Sequence, residues 1–201
     1  MNRDDWNNRY AKTELVWSAS ANQFLVAEVE NLPPGRALDL AAGEGRNALW
    51  LAERGWTVDA VDFSDVAIGK GKALAEARNL AEKVTFQVAD LREHAIEPGT
   101  YDLVAVMYFH MPWEALAPVL ARAARGLVPG GTFLLVSHDL ENPTRGHGGP
   151  KDPAVLPTAA QVASALEGEL TIERAEQVER IVQTDDGPKV ALDCLVRGKR
   201  V

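Results

Sequence analysis

Strand-like and helix-like segments alternate five times along this chain and a hairpin closes it, an order that few architectures accept. The spacing predicts a helix over 20–31, stopped by Pro33-Pro34-Gly35, and then a short apolar strand over 37–41 that runs into Gly43-Glu44-Gly45. A helix over 47–54 ends at Gly55, and a strand over 57–61 is closed by Asp62-Phe63-Ser64. Ser64 or Asp65 can cap a helix over 66–82, in which Gly69 and Gly71 each cost about 1 kcal/mol against Ala. Strands follow over 84–89 and 101–108. The second is apolar almost throughout, as expected of a strand covered on both faces. A helix over 112–127 is stopped by Pro129-Gly130-Gly131, and a fifth strand spans 132–137. A Gly/Pro-rich excursion over 138–157 leads to a helix over 158–167 capped by Thr158. Two strands, 170–182 and 189–196, turn around Asp185-Asp186-Gly187-Pro188. Alternation implies a mostly parallel sheet with helices on both faces, and the closing hairpin makes the last strand antiparallel.

The chain of 201 residues, 46% apolar, fits one domain over 1–201, with a lid or helical segment over 1–30 and an active-edge loop over 139–157. A net charge of −8 argues against a nucleic-acid partner. No apolar run nears the ~20 residues that span a bilayer, and no signal-like core follows Met1, so a cytoplasmic protein without a membrane partner is expected. Cys194 is the sole cysteine, which rules out an internal disulfide. Its apolar surroundings suit a buried thiol. The four histidines have no ligand spacing between them, and no metal is expected.

The chemistry concentrates after the first strand. Gly43-Glu44-Gly45-Arg46-Asn47-Ala48 fits the nucleotide-binding pattern of glycines between a strand and a helix, where the backbone must turn sharply and approach a ligand. Asp62 ends the next strand about 20 residues on, where a carboxylate can accept both ribose hydroxyls. Asp39 interrupts the first strand, and a carboxylate there opposes a pyrophosphate. The acidic set of Asp39, Glu44 and Asp62 instead suits S-adenosylmethionine, which carries an ammonium and a sulfonium and no phosphate. The alternatives are a dinucleotide-dependent oxidoreductase and a non-catalytic S-adenosylmethionine-binding protein.

Leu38-Asp39-Leu40-Ala41-Ala42-Gly43-Glu44-Gly45 resembles motif I of the class I S-adenosylmethionine methyltransferases. Val61-Asp62-Phe63-Ser64, Ala89-Asp90-Leu91 and Val104 to His110 resemble their next three motifs, and the Pro-Gly-Gly turn before the fifth strand is typical of the class. The resemblance implies a Rossmann-like three-layer α/β sandwich with a seven-stranded sheet. It also implies S-adenosylmethionine as cofactor and a small-molecule methyl acceptor. Asp39, Ala41, Gly43 and Gly45, with Arg46 and Asn47, would line the methionine end. Asp62 would hold the ribose, Phe63 and Ser64 would lie by the adenine, Asp90 would accept from its amino group, and the Leu91 backbone would read a ring nitrogen. Gly45-Arg46-Asn47 and the aromatic N-terminal segment are most similar to the tellurite-resistance and thiopurine-type members. A monomer or homodimer is expected.

His110 follows the fourth strand, on the edge where an open parallel sheet binds ligands. It can take a proton from a nucleophile, or hydrogen-bond the backbone and order the loop. Tyr108 would wall the pocket on the cofactor's side. His138-Asp139 can contact the acceptor or cap a turn. Trp6, Tyr10 and Trp17 form either a lid or an apolar staple, and Asn22 can face the pocket. The 139–157 loop is a flap or a plain surface loop.

Overall fold

The structure, a computed structural model, describes residues 2–13, 15, 16 and 20–201. Trp17 lies outside the described residues. Seven strands form one sheet: β1 (Arg36–Leu40), β2 (Thr57–Asp62), β3 (Val84–Val88), β4 (Tyr101–Met107), β5 (Leu127–His138), β6 (Leu170–Thr184) and β7 (Gly187–Arg200). Their spatial order is β3-β2-β1-β4-β5-β7-β6. Strands β1 to β5 pair in parallel, and β7 runs antiparallel between β5 and β6. The expected sheet and its reversed last strand are both present.

One face carries α2 (Gln23–Val29), α3 (Arg46–Glu53) and α4 (Asp65–Ala77); the other carries α5 (Trp113–Arg125) and α7 (Ala159–Ala165). Side chains alternate between these two cores along the central strands, as the two-residue period requires. On β4, Leu103, Ala105 and Met107 face the α3 side, while Val104 and Val106 face α5. Every one of these is buried, which explains the unbroken apolar run.

The structure departs from the expected boundaries at informative places. Pro129-Gly130-Gly131 does not stop before a strand. It forms an irregularity inside β5, between the pairs Tyr101–Leu127 and Leu103–Thr132, with Gly130 at φ 78°. The N-terminal segment contains α1 (Arg3–Ala11), closed at its start by a capping box between Asn2 and Asp5. The 138–157 excursion contains α6 (Asn142–Arg145) and a 3₁₀ turn at Pro153–Val155. Asn142 pins it, accepting from the Leu192 amide at 2.8 Å and donating to the Gly148 carbonyl at 2.9 Å.

Gly69 and Gly71, alike in the sequence, differ in the fold. A Cβ at Gly71 would stand 2.5 Å from Phe86 Cε1, and one at Gly69 would meet nothing within 4 Å. Phe86 fits under both α4 and the glycine loop because Gly71 and Gly45 lack side chains. Gly69→Ala should therefore stabilise the protein by roughly 0.5–1 kcal/mol. Gly71→Ala should cost roughly 1–3 kcal/mol through overpacking. Thermal unfolding of the two variants checks the opposite signs.

Candidate active site

The β1–α3 turn holds three residues at positive φ: Ala41 (59°), Gly43 (57°) and Gly45 (78°). A non-glycine residue in that region is strained, and such strain collects at ligand sites. Asp62 braces the turn. One carboxylate oxygen accepts from the Gly43 amide at 2.9 Å and the other from the Ser64 amide at 2.9 Å. Burial raises its pKa and these amides oppose the rise. Each oxygen keeps a second lone pair for a further donor.

Asp39 stands in the middle of the sheet, fully buried, and neither carboxylate oxygen has a hydrogen-bond partner among the described residues. Burial pushes its pKa up to about 7, against the opposing field of Arg46 and of the Ala48 amide, which lies nearby without closing a well-formed hydrogen bond. An unpaired buried carboxylate is costly, so it points to a cationic or donor partner from outside the fold. The residues present therefore fit an ammonium-bearing adenosyl group.

The other residues expected at the cofactor have these partners within the fold. Ser64 is fully buried; it caps α4 by accepting from the Ala67 amide at 3.1 Å and donates to Asn7 Oδ1 at 2.6 Å. Its hydroxyl joins the helix cap to the N-terminal helix, as the N-cap reading of Ser64 expects. Asn47 accepts from the Asn22 amide at 2.9 Å, and Asn22 in turn caps α2 by accepting from Phe24 and Leu25. Asp90 accepts from Arg92 at 2.5 and 3.0 Å, which lowers its pKa. Phe63 is half-buried next to Asp62, and Leu91 is buried with its carbonyl bonded to Arg122 at 2.7 Å.

Glu44, read above as part of an acidic cradle, instead ties the N-terminal segment down. It accepts from the Val16 amide at 3.0 Å and from Lys70 Nζ at 3.2 Å, and Lys70 also donates to the carbonyls of Tyr10 and Thr13 at 2.5 Å. Tyr10 is buried, and its ring lies 5.7 Å from that of Trp6. The segment is thus docked across the glycine loop.

A second cluster occupies the ends of β4 and β5. His138 Nδ1 lies 3.1 Å from His110 Nε2, and the Tyr108 ring lies 4.8 Å from the His138 ring. Burial lowers the pKa of His110 to about 3, helped by repulsion from His138, and that of His138 to about 4, helped by Arg180. A neutral pair shares one N–H and presents one donor and one acceptor at its outer nitrogens. Tyr108, at φ 53°, donates to Asp193 at 2.7 Å. Asp193 is fully buried and also accepts from Arg180 Nε at 2.6 Å. Pairing of His138 with Asp193 across β5 and β7 sets this geometry. Asp139 serves the turn, accepting from the Glu141 amide and from Gln177.

Arg180 and Asp193 were not among the expected site residues. The available signal was a carboxylate inside the apolar run Ala191 to Val196, the same anomaly that marks Asp39 in β1. Among the described residues no group of three His, Cys, Asp or Glu could hold a metal ion, and no helix is long and apolar enough to cross a membrane.

The strand order, the reversed β7 and a carboxylate-bearing glycine turn at the β1–β4 switch define a nucleoside-binding α/β domain of the methyltransferase type. Residues 37–131 match the family model described as a methyltransferase domain. The chain is 32% identical over 107 residues to the 2-heptyl-1-hydroxyquinolin-4(1H)-one methyltransferase of Mycobacteroides abscessus, covering 52% of this chain and 47% of that protein. It is 32% identical over 136 residues to the chloroplastic tocopherol O-methyltransferase of Arabidopsis thaliana, covering 66% of this chain and 38% of that one. The chain thus spans about half the length, or less, of these curated relatives. A structure concerned with conversion of a disulfide bond into a thioacetal group during echinomycin biosynthesis shares the fold with a TM-score of 0.78. It is 22% identical and covers 98% of this chain and 92% of that one. Residues 37–131 thus match the methyltransferase-domain family, within a fold that this solved structure shares.

Proposed function

We propose that this protein transfers the methyl group of S-adenosylmethionine to a small-molecule acceptor. The observation that carries this reading is the buried, partnerless carboxylate of Asp39 beside the glycine turn. Bound there, the cofactor supplies an electrophilic methyl group on a sulfonium. Asp39 would answer its ammonium, Arg46, whose charge acts on Asp39, would meet its carboxylate, and the Ala41–Gly45 backbone would allow the close approach. Asp62 would accept from the ribose, and Phe63 would lie against the adenine. Asp90 reaches the adenine amino group once Arg92 yields; an exposed pair of this kind holds by about 0–1 kcal/mol, so the exchange is cheap.

His110 and His138 stand together at the ends of β4 and β5, where they would face the transferring methyl. Their depressed basicity makes the pair a neutral hydrogen-bonding platform, so positioning supplies most of the rate. The two named relatives act on small molecules, and tocopherol methylation is at oxygen, which supports a small acceptor with a heteroatom nucleophile here.

Calorimetry with S-adenosylmethionine and S-adenosylhomocysteine tests the cofactor, and S-adenosylhomocysteine formation with phenol, thiol and amine acceptors tests the transfer. Micromolar binding is expected, weakened at least about 100-fold in Asp62→Ala. The reading fails if neither compound gives heat.

A further inference from the structure

A cavity of about 310 Å³ lies on the α5–α7 face of the active edge. Three chain segments wall it, and two of them continue directly from the histidine pair. Met111, one residue beyond His110, begins one wall with Trp113 and Leu116; Leu140, two residues beyond His138, forms another. The flap closes the third side with Val155 and Leu156, held between Pro153 and Pro157. Consecutive Cα atoms lie 3.8 Å apart, so the cavity starts within a residue or two of the proposed reacting centre.

The lining is mostly apolar. Glu114 and Gln161 alone bring charged or amide side chains to it, and both are exposed, which puts them at the mouth. Leu140 stands 41% exposed at the wall, although the same segment is pinned in place by the buried Asn142. The volume is that of a small ligand pocket, about 300 Å³ being the lower end of the usual range. None of the described residues that line it is a cation able to receive an anionic group, and Glu114 at the entrance opposes one. Uncharged hydrocarbon is the matter that this space takes.

We infer that the cavity receives an apolar substituent of the methyl acceptor, which makes the acceptor an amphipathic small molecule with its nucleophilic head at His110–His138 and its tail beside Trp113. The placement of the head rests on the methyl-transfer reading; the affinity of the cavity for hydrocarbon does not.

The test is a series of 4-alkylphenols from methyl to hexyl, titrated against the protein with and without S-adenosylhomocysteine. Binding is followed by calorimetry and by Trp113 fluorescence, with Trp113→Phe as the control that locates the signal. Each added methylene should tighten Kd by about fourfold until the cavity is full. Leu140→Asp, at an exposed position that tolerates charge, and Val155→Asp should flatten that dependence and leave S-adenosylhomocysteine binding unchanged. A Kd independent of chain length, or a slope that survives both substitutions, overturns the inference. If S-adenosylhomocysteine does not bind while the chain-length slope persists, the methyl-transfer reading falls and the apolar cavity stands.

Discussion

Between pH 5 and pH 7.5 the affinity of the wild-type protein for S-adenosylhomocysteine rises by an order of magnitude or more, and in Asp39→Asn it is weaker and flat with pH. This result is expected because an ammonium needs the ionised form of Asp39, whose pKa burial has raised to about 7. Each pH unit below that value costs up to about 1.4 kcal/mol, or tenfold in affinity. The same shift acts on the ligand-free fold with the opposite sense. A carboxyl whose folded pKa lies above its unfolded value near 3.9 favours folding at low pH, and that contribution is lost as pH rises through about 7. A shift of about three units is worth about 4 kcal/mol at most, so Asp39→Asn should be the more stable protein above pH 7 in the absence of ligand. His110 and His138 contribute with the other sign, since their lowered values penalise folding as pH falls below about 6.5. The difference between wild type and variant cancels them and Asp62. Calorimetry and thermal melts across the range read both effects.

Asp193→Ala should cost about 3–5 kcal/mol, the penalty of stranding one partner of a buried ion pair. The substitution leaves Arg180 without its carboxylate and the Tyr108 hydroxyl without an acceptor, at a residue already held at positive φ. For a chain of this size the melting temperature should fall by roughly 10 °C. Asp193→Asn keeps an acceptor for Tyr108 and should lose less. The double replacement Arg180→Met with Asp193→Leu removes both charges and should recover most of the loss, because desolvating the pair is itself expensive. A loss below about 1 kcal/mol in Asp193→Ala would contradict the assignment.

The order of elements could be read from local signals. Apolar runs marked β1, β4 and β5, and Gly-Glu-Gly after a strand marked the ligand turn. Asp39 and Asp62 stood out because a carboxylate at a strand's middle or tip is chemically unusual. What escaped were residues whose partners lie far along the chain. Phe86 and Gly71 look ordinary until β3 is laid against α4, and Glu44 looks like a ligand residue until Val16 and Lys70 come to it. Arg180 sits on an exposed, alternating strand, and only the register with β7 brings it to Asp193. Ser64 was legible as a helix cap, and it is that cap.

The place of β7 has a consequence for how the chain is made. On a ribosome β6 emerges before the strand that separates it from β5, so its fifteen residues have no hydrogen-bonding neighbour until the residues of β7 have followed. During that interval it is a naked ladder that any other nascent chain could extend. Glu173, Arg174, Glu176, Glu179 and Arg180 crowd it with charge of both signs, and Asp185-Asp186 at the tip add more. The strand is thus guarded against strangers while it waits, and one of its guards, Arg180, later becomes part of the site.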